Sequence, residues 1–407
     1  MTFRACLVLF SLLVSSQTAT AARVEILDGE NYDLVASTSR GLRLRFENPD
    51  LVFRVGGRVQ GDFAFFDSDE TDLDPDARLR RGRIYLSGRI EDVFRFKLER
   101  ELAPERGEWR NVWAQYKPNG RISFKVGNFV APFGLEQITS SNLTTFMERS
   151  LSGAIAPSFQ SGGRFDTNGR FGDRKSRNRW TLAMSAGAEP MGQRSDDLHK
   201  SEHWSVVTRA TYAPIAKRRM VVHFGGAAEY RDVLGGDTYS ISTRTESSLG
   251  PRLLRTGNLS NVDAVVSAGA EAVALFGPVL VQGEYSQSFL QRGNGREDAS
   301  LGGGYVQASW VVTGERRDYS RSAGVFGGLT PRHDWGAVEL AARYSVLDLE
   351  DGAVDGGEAS DITLGVNWYI RTNLRLMFNY VRVDADQENT GASDDPQIFQ
   401  LRAQLFF

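Results

Sequence analysis

Apolar and polar residues alternate along almost the whole chain from residue 51 onward. In the segment 51–66, Leu51, Phe53, Val55 and Val59 occupy odd positions, whereas the even positions include arginine, glutamine and aspartate. Because side chains two residues apart share one face of a β-strand, this pattern predicts strands with one apolar and one polar face. Sixteen such runs occur, near 51–66, 77–90, 93–102, 108–117, 121–129, 162–171, 179–187, 203–213, 219–231, 262–276, 278–290, 300–313, 336–348, 360–370, 373–383 and 397–407.

The lengths of the runs and of their connections predict a membrane barrel. A tilted strand needs about 9–11 residues to cross a bilayer, and a typical soluble strand has only about five or six. Short turns alternate with long connections, as in outer-membrane barrels. The long connections are predicted at 130–161, 232–261, 349–359 and 384–396, with a further one at 314–335 on the periplasmic side. We therefore expect an all-β fold, a 16-stranded antiparallel transmembrane β-barrel. A soluble β-sandwich would alternate similarly, but repeated arginines on the polar face disfavour a sandwich core.

The N-terminus has the features of a secretory signal. Arg4 precedes the apolar run 6–14, and small residues then lead to a cleavage site ending at Ala21. This arrangement predicts a signal peptide over residues 1–21. The chain's single cysteine, Cys6, would leave with the signal, so the mature chain would contain no disulfide.

The remaining chain is divided into two parts. We expect a periplasmic N-terminal segment over 22–48 and the transmembrane barrel over 49–407. The final strand alternates and ends in Phe407, a pattern that resembles the signal read by the outer-membrane assembly machinery. These features predict the outer membrane of a Gram-negative bacterium, with the lipid bilayer, lipopolysaccharide and the assembly machinery as partners.

The charges are unevenly distributed. The net charge of −3 argues against nucleic acid as a partner, and only six of the 48 basic residues are lysine. The segments 67–76, 348–361 and 384–395, predicted as external loops, contain seventeen acids and no base. Without them the mature chain has 34 acids against 47 bases, a net charge of +13. A narrow channel lined by one sign of charge concentrates the opposite ion, and anion pores use rings of arginine or lysine.

The inward polar faces supply the candidate pore residues. Arginine keeps its charge at low dielectric and binds oxyanions through two parallel hydrogen bonds. The predicted pore-lining and anion-binding residues are Arg54, Arg58, Arg81, Arg83, Arg95, Lys125, Arg164, Arg170, Arg244, Arg252, Arg255, Arg316, Arg317, Arg343 and Arg371. In the alternative, inward acids pair with these bases and brace the wall, and about half of the set is expected to do so. The bracing acids would be Asp62, Glu99, Asp166, Glu284 and Glu339.

The connection 130–161 is mostly apolar or uncharged and would be a poor surface in water. We expect it to fold inward or against a neighbouring subunit and to form the constriction. Its candidate residues are Phe133, Glu136, Glu148 and Arg149. The connection 232–261 carries arginines among small polar residues, and it is predicted either as a vestibule loop or as a surface loop.

Specific strings add a family resemblance. The segments GGRVQGDFAFFD, LRRGRIYLSG, ISFKVGNFVAPFGLEQITSSNLTTFMERSL, VVTGERRDY, GAVELAARYSVLDL and LGVNWYI resemble the phosphate-selective porin O/P family. The resemblance runs from about residue 41 to 407 and implies a trimeric outer-membrane channel, with loops folded into the lumen and arginines along the path. Phosphate-selective members coordinate the anion with constriction lysines, and 130–161 and 314–335 contain none.

The expected function is therefore passive diffusion of small anions, such as phosphate or polyphosphate, through a homotrimeric porin with no cofactor and no bound metal. Without the constriction lysines, we expect weak discrimination of phosphate from chloride. A general or small-solute porin without anion specificity is the alternative. A barrel hydrolase is less favoured, because no recognisable nucleophile motif is present, and we expect no enzyme.

Overall fold

The computed structural model describes residues 23–29, 32–37, 41–67, 74–103, 108–173, 175–191, 203–234, 239–352, 354–386 and 395–407, with only the backbone for 23–29. The predicted signal peptide and most of the acidic segments 67–76 and 384–395 lie outside these residues. The strands are β1 (Arg23–Gly29), β2 (Tyr32–Ser37), β3 (Gly41–Phe46), β4 (Leu51–Asp67), β5 (Asp76–Ile90), β6 (Phe94–Glu101), β7 (Trp109–Tyr116), β8 (Ile122–Val130), β9 (Phe159–Gly169), β10 (Arg179–Ala188), β11 (His203–Ala216), β12 (Met220–Val233), β13 (Ser242–Thr243), β14 (Leu254–Arg255), β15 (Val262–Phe276), β16 (Val279–Arg292), β17 (Ala299–Val311), β18 (Tyr319–Ser320), β19 (Val325–Phe326), β20 (Ala337–Asp351), β21 (Val354–Arg371), β22 (Leu374–Asp386) and β23 (Gln397–Phe406).

Sixteen of the described strands form one closed antiparallel barrel, which confirms the predicted fold. They are β4 to β12, β15 to β17 and β20 to β23, and each pairs with the next in the chain. The last strand, β23, returns to β4, with Gln397 opposite Asp67 and Phe406 opposite Arg58, so the sheet has no free edge at this seam. Closure satisfies the backbone hydrogen bonds that a bilayer cannot satisfy.

The two faces of the wall differ as the alternation predicts. In β23, Phe399 and Leu401 are 39% and 50% exposed on the outer surface. Their neighbours Gln400 and Arg402 are buried inside. Lipid-facing positions are therefore apolar and lumen-facing positions polar, as membrane barrels require. Among the described residues, no helix is long and apolar enough to cross a membrane.

The three N-terminal strands extend one edge of the barrel wall. β1 pairs with β2, β2 with β3, and β3 with the first residues of β4, Leu51–Val55. The same edge of β4 pairs with β23 from Arg58 onward. The predicted N-terminal segment thus forms an antiparallel meander that continues the wall beyond the end of the last strand.

The predicted external loop 349–359 is wrong, because the strands continue through it. β20 extends to Asp351 and β21 begins at Val354, so only two residues separate the strands in the sequence. Glycine and aspartate are depleted in strands and therefore suggested a loop. β21 has 18 residues, whereas about 9–11 suffice to cross a bilayer. The part of β21 that extends beyond the bilayer does not contact lipid, so it can carry acidic residues and not an apolar face.

Three connections pass through the space inside the wall. They are residues 131–158, 239–261 and 312–336, and the first contains the short helix α1 (Leu135–Ile138) and a 3₁₀ turn, Leu151–Ala154. Arg58 donates to Ser141 Oγ, Arg317 to Leu143 O, Arg375 to Thr144 O and Asn367 to Thr145 O. Since β4, β21 and β22 supply three of these donors, the first connection contacts the inner wall at separate points.

Apolar side chains pack inside the wall beside these connections. Leu151 and Ile155 of the first connection and Leu253, Leu254 and Leu259 of the second form a buried cluster with inward residues of the wall. The wall contributes residues that include Leu290, Leu301, Leu347, Val383 and Ile398. Burial of this surface stabilises the two connections in place by the hydrophobic effect.

Candidate pore and its basic wall

A cavity of about 810 Å³ lies between one part of the wall and the inward connections. β4 to β9 form one side of it, and residues within 137–158 and 242–252 contribute to the other. Two acidic side chains from the described residues line it, Glu148 and Glu246. Twelve basic side chains line it: Arg58, Arg78, Arg80, Arg81, Arg83, Lys97, Arg110, Lys125, Arg149, Arg164, Arg244 and Arg252.

A β-bulge concentrates arginine on β5. Arg81 pairs with Gln60, but the next pair joins Leu79 to Gly61, so Arg80 is the extra residue. A bulge leaves one residue unpaired and changes which side chains share a face. Arg80 and Arg81 therefore both reach the cavity, together with Arg83.

Buried acids of the wall hold several of these bases in position. Glu99, on β6, lies 3.8 Å from Arg58 and 3.3 Å from Arg83, and it also pairs with Lys97. Arg83 makes a second pair with Glu101 at 2.6 Å. The side chains of Glu99 and Glu101 are fully buried and do not line the cavity. The acids thus fix the positions of the bases while the bases face the open space.

Lys125 and Arg164 extend the basic wall to β8 and β9. The Lys125 ammonium lies 4.7 Å from the ring centre of Trp113 and 5.9 Å from that of Phe129. Among the described residues, no carboxylate lies within ion-pair distance of Lys125. Arg164 pairs with Asp166 at 2.6 Å and donates to Val130 O at 3.2 Å.

Glu148 and Arg149 bring opposite charges to the facing side. Glu148 accepts two hydrogen bonds from Arg80, at 2.8 and 2.7 Å, and one from Arg402 at 2.6 Å. Burial opposes ionisation of Glu148, but the adjacent Arg80, Arg81 and Arg402 hold its pKa well below the usual range. Arg149 donates to the carbonyl oxygens of residues 136, 137 and 139, so its guanidinium is fixed at the end of α1.

Phe133 and Glu136 anchor the connection without lining the cavity. Phe133 is buried against Ala131 and Val207. Gly134, at φ 64°, turns the chain so that Leu135 N and Glu136 N donate to Glu284, at 2.6 and 2.7 Å. Glu136 accepts a hydrogen bond from Arg343 at 3.1 Å. Both predicted residues thus position the connection.

The structure divides the predicted pore-lining set. Seven of the fifteen line the cavity: Arg58, Arg81, Arg83, Lys125, Arg164, Arg244 and Arg252. Eight lie outside it: Arg54, Arg95, Arg170, Arg255, Arg316, Arg317, Arg343 and Arg371. Four cavity bases escaped the prediction: Arg78, Arg80, Lys97 and Arg110. Lys97 follows the alternation of β6 and was detectable, whereas Arg80 and Arg110 lie beside register shifts that alternation does not reveal.

The bases outside the cavity have identifiable positions. Arg317 pairs with Glu339 at 2.8 Å, and Arg343 pairs with Glu246, all four side chains being almost fully buried. Arg371 donates to Asp334 O and Ile370 O beside a turn. Arg317 and Arg343 lie outside the cavity for one physical reason: each guanidinium pairs with a carboxylate from another part of the chain.

Four of the five predicted bracing acids pair with bases. Asp62 binds Arg402, Glu99 binds Arg58 and Arg83, Asp166 binds Arg164, and Glu339 binds Arg317. Glu284 instead accepts from the backbone of the inward connection and from Tyr305. Bracing pairs and cavity bases therefore coexist in one lumen.

A closed sixteen-stranded barrel with an apolar exterior and a charged interior defines a porin-type protein of the outer membrane. The model of the family described as "Phosphate-selective porin O and P" matches residues 53–407, and the chain belongs to this family. This confirms the resemblance and the location in the outer membrane of a Gram-negative bacterium.

Individual relatives agree with this assignment. The chain is 26% identical to Porin O of Pseudomonas aeruginosa over 97% of its own length and 98% of that protein. Its fold is similar to the trimer form of OmpT from Vibrio cholerae, with a TM-score of 0.55, 12% identity and coverage of 88% of this chain and 99% of that one. It is also similar to an anion-selective porin from Comamonas acidovorans, with a TM-score of 0.52, 13% identity and coverage of 88% and 100%.

Proposed function

We propose that this porin is a water-filled channel that favours small anions and transports them passively. The observation that carries the proposal is the cavity lining, twelve bases against two acids. A confined path with this excess of positive charge raises the local concentration of anions and repels cations. The arrangement supports selective diffusion, and no catalytic step is proposed.

The selectivity among anions follows from how the bases are held. The buried carboxylate of Glu99 pairs with Arg58, Arg83 and Lys97 and partly neutralises their positive charge. Each such base keeps only part of its attraction for a passing ion. Conduction requires binding that is weak enough for release. We propose a wall of successive weak contacts, with phosphate only modestly preferred over chloride.

The reversal potential in planar bilayers under a salt gradient tests anion preference. The triple variant Lys125→Gln, Arg244→Gln, Arg252→Gln removes three cavity charges and leaves the partners of Glu99 and Glu101 in place. We expect its reversal potential to move toward that of a cation-selective channel.

The matched control removes the same charge outside the cavity: Arg170→Gln, Arg316→Gln, Arg371→Gln. It should shift the potential much less. A cation-selective wild type, a barrel that passes no current, or equal shifts in the two triple variants would contradict the proposal.

Assembly and processing complete the proposal. We propose removal of residues 1–21, a periplasmic position for 22–48, contact with lipopolysaccharide and the assembly machinery, and a homotrimer. The trimer form of OmpT, the similar outer membrane protein of Vibrio cholerae, supports the last point. Light scattering of the detergent-extracted protein tests it, and a monomer mass would contradict it.

A further inference from the structure

Three guanidinium groups converge on the Glu148 carboxylate where it faces the cavity. Arg80 binds both of its oxygens, Arg402 binds Oε1 at 2.6 Å, and Arg81 lies 3.6 Å from Oε2. The guanidinium of Arg402 is completely buried, and those of Arg80 and Arg81 are nearly so. Glu148 itself retains 15% exposure and lines the cavity.

The contacts of this carboxylate match those that arginine makes with oxyanions. A guanidinium donates two parallel hydrogen bonds to a carboxylate or to a phosphate in the same way. Arg402 also binds Asp62 through two hydrogen bonds of 2.6 Å, so one of the three positive charges has a separate partner. Without Glu148, the cluster would keep an excess of two positive charges beside the path.

Building on the proposed anion channel, we propose that Glu148 is a resident competitor for permeating oxyanions. Its carboxylate fills a site of three arginines that would otherwise hold a tetrahedral oxyanion. Because buried charges require a counter-charge, the empty cluster would recruit a dissolved anion. A tightly held ion would obstruct the path, so the resident carboxylate keeps the passage open.

The connection that carries Glu148 has other anchors. Arg375 binds Thr144 O, Asn367 binds Thr145 O, and Arg402 binds Met147 O. Removing the charge of Glu148 leaves these backbone contacts intact. The variant Glu148→Gln thus removes the counter-charge of the cluster while the connection stays in place.

The first test measures block of the chloride current by inorganic phosphate. Glu148→Gln should lower the half-blocking phosphate concentration by about tenfold or more, since charge-assisted hydrogen bonds to a free guanidinium cluster become available. Glu148→Asp retains the charge and should stay close to wild type.

The matched control is Glu108→Gln. It makes the same charge change at an acid that pairs with one cavity arginine, Arg110, at 3.0 Å. A shift in this variant of similar size would mean that net charge alone is responsible and would overturn the inference. An unchanged half-blocking concentration in Glu148→Gln would also overturn it. Failure of the proposed function is distinguished by the wild-type reversal potential, which would then show cation selectivity or no current.

A second measurement does not depend on current. An anion that binds only the folded barrel stabilises it by mass action. For Glu148→Gln, we expect the refolding yield to rise with phosphate concentration at constant ionic strength. The midpoint temperature of its heat-modifiability should rise in the same way. Neither quantity should change for the wild type. If Glu148→Gln fails to assemble at every phosphate concentration, an oxyanion cannot replace the carboxylate and the inference is wrong.

Discussion

Replacement of Arg402 tests whether ion pairs inside the barrel stabilise the folded protein. Its guanidinium is completely buried and binds both oxygens of Asp62, one oxygen of Glu148 and the carbonyl of Met147. The side chain therefore links β23, the last strand of the barrel, to β4, the first barrel strand, and to the connection 131–158. Arg402→Gln keeps a polar side chain but is too short and uncharged to make these contacts.

The expected loss can be estimated from the partners that remain. Removing one member of a buried ion pair costs about 3–5 kcal/mol, because the other charge is left uncompensated. Ser248 still donates to Asp62 at 2.7 Å, and Arg80 still pairs with Glu148. The free energy of unfolding should thus fall by about 3 kcal/mol, which changes the equilibrium constant of unfolding by more than a hundredfold.

Denaturant unfolding in detergent, followed by tryptophan fluorescence, measures the change in the free energy of unfolding. The control is Arg371→Gln, which loses only hydrogen bonds to two backbone carbonyls beside a turn. Such a partly exposed substitution should cost no more than about 0.5–1 kcal/mol. If Arg402→Gln were no less stable than Arg371→Gln, the ion pairs would not contribute in the way argued.

Three further variants test the connection and the seam. Gln137 lines the cavity, so Gln137→Lys should strengthen phosphate block of the chloride current, and an unchanged half-blocking concentration would show that this position does not meet the ion. Deleting Phe407, which exchanges two backbone hydrogen bonds of 2.9 Å with Gly57, should reduce the heat-modifiable barrel, whereas equal assembly kinetics would contradict this role. Gly134→Ala should lower the free energy of unfolding by about 1–2 kcal/mol, because φ is 64° and a Cβ would lie 2.8 Å from Glu284. The control is Gly153→Ala, where the nearest atom to an added Cβ would be 3.4 Å away. Equal losses of stability in the two variants would refute the argument.

The sequence allowed prediction of the barrel, because the bilayer imposes a simple rule on each strand. Lipid-facing positions must be apolar, and the lumen tolerates charged residues. The alternation of apolar and polar residues therefore indicates whether each side chain faces the lipid or the lumen. Arg58, Arg81 and Arg83, which the alternation assigns to the inward face, line the cavity. Arg80 was missed because a bulge inserts one residue and shifts the alternation locally.

The extent of the strands was less predictable where they pass beyond the length that a membrane requires. Residues 354–361 contain glycine and acidic residues but belong to β21. Val354 and Asp355 pair with β20, and residues 358–361 pair with both β20 and β22. Pairing through the backbone needs no particular side chain, so the glycine and aspartate content indicated a loop where the strands in fact continue. The acidic character of 348–361 is genuine, but it belongs to a long hairpin with Asp361 buried inside the wall.

The division between bracing and solute-facing arginines could not be read from any strand alone. Arg58 and Arg343 both occupy inward positions on alternating strands, yet Arg58 lines the cavity and Arg343 is buried against Glu246 and Glu136. These two acids belong to different inward connections, far from Arg343 in sequence. The positions of the connections therefore decide the role of each wall residue.

Those connections cover one side of the lumen more completely than the other. Arg209, Arg343, Arg375 and Arg402, on β11, β20, β22 and β23, are almost fully buried, and the apolar cluster packs beside the same connections. The bases of β4 to β9 remain beside open space. The cavity is thus basic on the side that the connections leave uncovered. A change that displaced residues 131–158 or 239–261 would expose a second set of arginines, together with their acids, and would alter selectivity less than the number of arginines alone suggests.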